Sequence, residues 1–170
     1  MRRWPLPLLA ALLAPLLAGC TFVSTPRDTA QWTTTAHGVT ATWRWVAPGA
    51  LTRRSGAPYA GHALTLPLAQ GCVVDIDPAL SRHDLVRVAA HEYGHCAAGL
   101  YLKLGAESLE GLSDYHRRLG EQWPERYAEA YLAACGRSLR PLGWYDLVQA
   151  TCAEAPDPRS FSDERAEPES

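Results

Sequence analysis

The sequence lacks several features that mark common classes of protein. Its formal net charge is −2, and its basic residues are spread along the chain, so no basic stripe favours nucleic-acid binding. No two of its five cysteines have the short spacing of a zinc knuckle, and no internal repeat is visible. Its apolar run at residues 6–17 is too short to span a bilayer comfortably. These absences argue against a nucleic-acid partner, a cysteine-rich zinc site and a repeat architecture. The 170 residues are nevertheless enough for one domain with a hydrophobic core.

The N-terminal segment is typical of an exported protein. Arg2 and Arg3 precede the apolar run, which ends in Leu17-Ala18-Gly19-Cys20. A short apolar run after a basic start predicts a secretory signal peptide, here residues 1–19. The final four residues resemble the lipobox of bacterial lipoproteins, in which the cysteine is lipidated and becomes the new N-terminus. The resemblance implies a membrane anchor at Cys20 and a domain facing the periplasm or the cell exterior. The alternative is an ordinary secretory signal in which Cys20 is incidental.

The rest of the chain predicts strands first and helices afterwards. Residues 39–46 alternate between apolar and polar side chains, which indicates a strand, and residues 63–66 and 72–76 are shorter strand candidates. The predicted helices cover residues 82–98, 106–120, 124–135 and 144–153. This order predicts an α+β fold.

The predicted domain covers residues 37–153. Residues 20–36 are polar and rich in threonine, so they are interpreted as a tether between the lipid and the domain. Residues 154–170 consist mainly of Pro, Ser, Glu, Asp and Arg, a composition that predicts a disordered acidic tail.

The cysteines beyond Cys20 are even in number, which in an exported chain predicts two disulfides. We expect Cys72 to pair with Cys96, because one lies on the strand before a helix and the other on that helix. Cys135 and Cys152 end consecutive predicted helices and form the second expected pair. The alternative is four free buried thiols.

A zinc-binding motif lies on the helix that Ser81 caps. His91 and His95 are four residues apart, so they share one helix face and their imidazoles can reach a single zinc ion. Glu92 follows the first histidine and can take a proton from a water molecule that zinc activates. This is the HExxH arrangement of metallopeptidases. Gly94 costs about 1 kcal/mol against Ala inside a helix, so we expect a neighbouring backbone to approach it closely.

The third protein ligand is open at this point. A further histidine in an HxxGxxH arrangement is excluded, because the residues after His95 do not fit that pattern. A glutamate from a later helix is the other common route. The candidate glutamates are Glu107, Glu110, Glu121, Glu125 and Glu129. Glu125 and Glu129 stand out, because they are four apart on the helix that Pro124 is expected to open. One of them can bind zinc while the other accepts the free ring N–H of a ligand histidine.

Glu125-Arg126-Tyr127-Ala128-Glu129-Ala130-Tyr131 resembles the glutamate helix of the gluzincin class of zinc peptidases, especially the Glu-x-Phe-Ala-Glu-Ala-Phe segment of lethal-factor-type catalytic domains. The resemblance covers about a dozen residues in two segments. It implies one Zn²⁺ per chain, with Glu125 as ligand and Glu129 orienting a histidine, His91 if the two helices run antiparallel. It also implies a zincin-like fold, in which a small, mostly antiparallel N-terminal sheet packs on the HExxH helix and a helical half follows.

Peptide hydrolysis also needs a donor for the developing oxyanion. Tyr131 is the preferred candidate on the sequence, beside Tyr115, His116 and Tyr145. The remaining histidines are interpreted as non-ligands: His37, His62 and His83.

The sequence therefore predicts a membrane-anchored zinc metallopeptidase that acts outside the cytoplasm on peptide or protein substrates. One alternative is a non-catalytic zinc-binding lipoprotein, although a structural site has no use for a general base such as Glu92. Another is a zinc amide hydrolase acting on cell-wall material. The small size leaves little room for a separate specificity domain, so an extended substrate strand is expected to pair with an exposed sheet edge.

Overall fold

The computed structural model describes residues 30–48, 50–51, 60–66, 71–101 and 114–161. Four strands are followed by two long helices, which confirms the predicted α+β class. The elements are β1 (Gln31–Ala36), β2 (Val39–Trp45), β3 (Gly61–Leu66), β4 (Gly71–Ile76), α1 (Arg82–Tyr101) and α2 (Asp114–Cys135). Two short 3₁₀ turns follow α2, at Arg140–Leu142 and Pro158–Ser160.

The strands form one mixed sheet in the order β1-β2-β4-β3. β1 and β2 pair antiparallel, β2 and β4 pair parallel, and β3 pairs antiparallel with β4. The turn between β1 and β2 consists of His37 and Gly38, both with positive φ (45° and 75°), which suits the twist of a tight hairpin. In the strand order of the described residues, β3 lies at one edge of the sheet, as the edge-pairing hypothesis requires.

The alternation of side chains in β2 and β4 separates a buried face from a polar one. The buried side chains are Val39, Ala41, Trp43, Cys72, Val74 and Ile76, and α1 packs against them. The opposite face carries Arg44, whose guanidinium donates to both carboxylate oxygens of Asp75 at 2.6 and 2.8 Å. The sheet therefore has one apolar side, and the helices that carry the candidate site lie on that side.

The start of α1 is capped as the sequence predicts. The Ser81 hydroxyl accepts from the Asp84 backbone N–H at 3.2 Å and donates to the Asp84 carboxylate at 2.6 Å. The Ser81 hydroxyl thus provides a hydrogen-bond partner for both the backbone N–H and the side chain of Asp84 in the first turn. α1 continues past Gly99 to Tyr101, three residues further than predicted.

Two predicted helices differ in the structure. Pro124 does not open a new helix, because α2 is continuous from Asp114 and contains Pro124 in its interior. Pro124 is fully buried where α2 crosses α1, and a Cβ atom on Gly94 would lie only 2.8 Å from its Cα atom, so tertiary packing holds the helix through the proline. Residues 144–153 are irregular rather than helical. There the Asp146 carboxylate accepts the backbone N–H groups of Leu139 and Val148, which fixes a loop instead.

The folded domain also extends beyond both predicted limits. Residues 31–36, placed in the tether on composition, form β1 and pair with β2, because their threonines alternate between the two faces of the sheet. At the other end, residues 154–161 pack on the domain rather than forming part of a disordered tail. Ala155 and Pro158 are buried, and the Tyr127 hydroxyl donates to the Pro156 carbonyl at 3.0 Å. Cys20, the signal segment and residues 162–170 lie outside the described residues.

Both predicted disulfides are present. Cys72 in β4 is bonded to Cys96 in α1, and Cys135 at the end of α2 is bonded to Cys152. The first bond ties the residue after His95 directly to the sheet. In the described ranges, no helix is both long and apolar enough to cross a membrane.

Candidate metal centre

The motif histidines lie side by side on α1, as their spacing predicts. The two Nε2 atoms of His91 and His95 are 3.2 Å apart, and the ring centroids are 4.8 Å apart. The side chains are 19 % and 27 % exposed, respectively, so both rings reach the surface from a mostly buried helix. The pair presents two nitrogen atoms to one point at the protein surface.

Glu121 of α2 completes a group of three possible ligands. One of its carboxylate oxygens, Oε2, lies 3.3 Å from His91 Nε2 and 3.6 Å from His95 Nε2. Its side chain is 60 % exposed, so the group opens to solvent. Hydrogen bonds from the two histidines hold the pKa of Glu121 far below its usual range. His91, His95 and Glu121 could together hold a metal ion.

The close contact between α1 and α2 depends on Gly94. A Cβ atom at this position would lie 2.8 Å from the Pro124 Cα atom and 3.1 Å from its Cβ atom. The predicted close approach of a neighbouring backbone is therefore confirmed, and Pro124 supplies it. Because Glu121 and Glu125 flank Pro124 on α2, the same contact sets both carboxylates beside the histidines.

Glu125, the preferred third ligand on the sequence, lies elsewhere in the site. Its Oε2 atom is 3.2 Å from His91 Nδ1, the ring nitrogen opposite the one that faces His95 and Glu121. Its other oxygen accepts a hydrogen bond from the Arg87 guanidinium. A His91 ring that donates its Nδ1–H to Glu125 leaves the Nε2 lone pair free for a metal. Glu125 thus stands where an orienting carboxylate belongs, one helical turn from the possible ligand Glu121.

His91 faces carboxylates on several sides. Burial alone would lower its pKa, but the carboxylates of Glu121, Glu92 and Glu125 together outweigh burial, and the pKa is raised. Glu129, expected to orient a histidine, is exposed and lies two turns beyond Glu121 on α2. It does not belong to the group of possible ligands among the described residues.

Glu92, the candidate general base on the sequence, is buried beside the sheet. Its side chain is buried, with 6 % of its surface exposed, and burial raises the pKa of its carboxyl group. It packs against the start of the edge strand. A Cβ atom added to Gly61 would lie only 3.0 Å from the Cγ and Oε1 atoms of Glu92. The carboxyl group therefore lies between the motif helix and β3.

Tyr131, the preferred oxyanion donor on the sequence, is part of the core. It is fully buried, and its hydroxyl donates to the Ser138 carbonyl at 2.6 Å, so it is committed to a structural contact. Tyr145 is 47 % exposed in the loop after α2. The side chains of Tyr115 and His116 lie outside the described residues, as do Glu107 and Glu110.

The other histidines are not among the possible ligands that the described residues bring together. His37 lies in the hairpin turn, with its Nε2 atom 2.7 Å from the Ala155 carbonyl oxygen. His83 lies beside Asp84 at the start of α1. His62 is exposed near the start of β3.

Glu121 is among the candidate ligands on the sequence but is not a preferred one. Like Glu129, it lies four residues from Glu125, but a helix that begins at Pro124 leaves Glu121 outside it. Only a helix that continues through Pro124 places Glu121 and Glu125 as a pair on one helix face.

Comparison with known proteins adds no relative from which function can be transferred. No family model, curated protein or solved structure matches the chain.

Proposed function

We propose that this protein is a zinc-dependent metallopeptidase, attached to a bacterial membrane through a lipid on Cys20 and acting outside the cytoplasm. The observation that carries the proposal is the spacing of the three donor atoms, 3.2, 3.3 and 3.6 Å. Ligand atoms about 2.0–2.1 Å from a tetrahedral zinc ion lie about 3.3 Å from one another. The donor set of two imidazoles and one carboxylate also suits zinc, and a fourth position stays open to solvent.

The ligands would be His91, His95 and Glu121. Glu125 would hold the His91 ring by accepting its Nδ1–H, and Arg87 would hold Glu125 in turn. This is the carboxylate–histidine support that catalytic metal sites commonly need. The arrangement keeps the gluzincin pattern of one binding and one supporting glutamate, displaced by one helical turn from the expected pair.

A bound zinc ion would supply Lewis acidity, polarising a substrate carbonyl and making a nearby water molecule acidic enough to attack at neutral pH. Glu92 would accept the proton from that water and deliver it to the leaving amine. Burial raises the pKa of Glu92, which makes its carboxylate a better proton acceptor and lets it hold the proton nearer neutral pH until the amine leaves. A site that only stores or carries metal has no need of this carboxyl group beside its first ligand.

The substrate would be an extended peptide that pairs with the edge strand β3. Among the described residues, β3 pairs with β4 on one side only, and Glu92 packs against its first residue, Gly61. A peptide added along this edge would pass close to Glu92 and the histidines. A complex in which a bound peptide analogue lies away from β3 would contradict this part of the proposal.

The experiment that tests the activity compares the wild-type chain with Glu92→Gln on a mixture of unstructured peptides, with products identified by mass spectrometry. We expect the wild type to cleave peptide bonds and to stop when a chelator removes zinc. Glu92→Gln should retain zinc but lose cleavage, because the ligands remain and the proton carrier is gone. Equal cleavage by Glu92→Gln would overturn the role of Glu92 as proton carrier. No cleavage by a zinc-loaded wild type across a diverse library would argue for a non-catalytic zinc protein.

A further inference from the structure

The loop after Trp144 exposes apolar side chains in a way that the proposed activity does not explain. Among the described residues, the large hydrophobic side chains that are exposed are Tyr145, Leu147 and Val148, at 47 %, 82 % and 39 %. All three lie within four consecutive residues. A concentrated apolar patch of this kind indicates a site of contact with another protein or with a membrane.

The loop is held rigidly in this orientation. Asp146, between the exposed residues, has a side chain only 5 % exposed. Its carboxylate accepts from the Leu139 backbone N–H at 2.7 Å, from the Val148 backbone N–H at 3.0 Å, and from the Arg82 guanidinium. The Ser138 hydroxyl donates to the Val148 carbonyl at 2.7 Å. These hydrogen bonds join the polar groups of the loop to the body of the domain, and they hold the Leu147 side chain towards solvent.

The loop lies at the end of the domain where the N-terminal segment enters it. Trp144 packs on Trp32 and Trp45, with ring centroids 4.8 and 5.8 Å away. The Trp45 backbone N–H donates to the Ala30 carbonyl at 3.0 Å. Ala30 is ten residues after Cys20, a separation that spans at most about 35 Å when fully extended. A lipid on Cys20 would therefore keep this end of the domain near the bilayer.

Basic side chains border the apolar patch. The Arg82 guanidinium reaches the Arg137 carbonyl as well as Asp146, which places the start of α1 beside the loop. Arg137 and Arg140 are exposed on the adjoining turn, and Arg140 donates to the Gln149 side chain at 3.2 Å. An apolar patch with a cationic border complements a bilayer that carries anionic headgroups.

We propose that the loop Tyr145–Val148 inserts into the surface of an anionic phospholipid bilayer and sets the orientation of the domain on the membrane. The proposal relies on the lipidation part of the proposed function but not on zinc or catalysis. His91 is nine positions after Arg82 on α1, a rise of about 14 Å. The site would thus face substrates that lie close to the membrane surface.

The test places an environment-sensitive fluorophore on single cysteines of the full chain, produced in bacterial membranes and reconstituted into phosphatidylethanolamine–phosphatidylglycerol vesicles with brominated lipids. Leu147→Cys is the test position. Thr35→Cys is the matched control, because Thr35 is exposed near the opposite end of β1, about 17 Å from Ala30. Unsubstituted protein gives the background from any unblocked Cys20 thiol.

We expect the emission maximum of the label at position 147 to shift to shorter wavelength when the protein is in vesicles. We also expect brominated lipid to quench this label several-fold more than the label at position 35. Equal, weak quenching at both positions in protein that floats with the vesicles would overturn the proposal. So would failure of the full chain to float with them. An unquenched label together with a dimer that Leu147→Glu converts to a monomer would assign the loop to a second copy of the chain. None of these readouts depends on zinc content or peptide cleavage, so failure here is distinguishable from failure of the peptidase proposal.

Discussion

The two helices of the candidate metal centre contribute their residues in different ways. α1 supplies His91, Glu92 and His95 from five consecutive positions, so their relative placement follows from helix geometry alone. α2 supplies Glu121 and Glu125, whose placement depends on where the helices cross, at Gly94 and Pro124. A local motif can therefore specify half of such a site, while long-range packing selects the residues of the other half.

The largest expected effect comes from removing a ligand on α1. His95→Ala deletes one of the two nitrogen donors, and the remaining imidazole and carboxylate are a poor zinc site. We expect no stoichiometric zinc and no peptide cleavage, measured by elemental analysis and product formation. His83→Ala, an exposed histidine at the start of the same helix, is the control and should retain both. Full zinc occupancy in His95→Ala would mean that the motif is not the metal site.

A smaller effect is expected on α2 from Glu125→Gln. This change keeps a hydrogen-bond acceptor near His91 Nδ1 but removes the negative charge that polarises the ring. Loss of such a supporting carboxylate typically weakens metal affinity about 10–100-fold. Competition with a chromogenic zinc chelator measures this. Glu129→Gln, on the same helix and exposed, should leave affinity unchanged. If Glu125→Gln instead loses zinc altogether, Glu125 is a ligand and the assignment of Glu121 is wrong.

The helix crossing itself can be tested with Gly94→Ala. The added methyl group would meet the Pro124 backbone at 2.8 Å, and overpacking of this kind costs about 1–3 kcal/mol. Urea denaturation of the metal-free protein should show that loss, and zinc affinity should fall with it because Glu121 and Glu125 move away. Gly120→Ala is the control: it meets no atom within 4 Å and should stabilise α2 by up to about 1 kcal/mol. If Gly94→Ala changes neither the free energy of unfolding nor the zinc affinity, the helices can separate without consequence for the site.

The smallest effect is a pH dependence set by His91. Its pKa is raised in the metal-free fold, so its protonated form stabilises the fold below the unfolded pKa of about 6.5, and that contribution is lost as the pH rises through the folded-state pKa. Zinc must displace the same proton, so affinity should fall as the pH drops through this raised value. Histidine NMR titration of the metal-free protein measures the pKa, which Glu125→Gln should lower. A His91 that titrates below free histidine would contradict the arrangement.

The sequence was sufficient for those features that depend on neighbouring residues. The spacing of His91 and His95, the Ser81 cap and the requirement for backbone close to Gly94 all follow from the geometry of one helix. The disulfide pairs could also be predicted, because each joins elements that are consecutive or nearly so along the chain.

The features that could not be predicted depend on distant contacts. A proline usually interrupts or begins a helix, and only packing against Gly94 shows why α2 continues through Pro124. The apolar spacing of residues 144–153 predicted a helix, but Asp146 binds the backbone of Leu139 and Val148 instead. Tyr131 has a chemically suitable hydroxyl, yet the Ser138 carbonyl holds it in the core.

The central claim is most directly tested by the zinc content of the purified mature chain beside its Glu121→Ala and Glu129→Ala variants. The account predicts one zinc per chain in the wild type and in Glu129→Ala, and loss of stoichiometric zinc in Glu121→Ala with the fold retained by circular dichroism. A folded wild-type chain that takes up no zinc on incubation with the metal, or a Glu121→Ala variant that binds it as well as the wild type, would contradict the account.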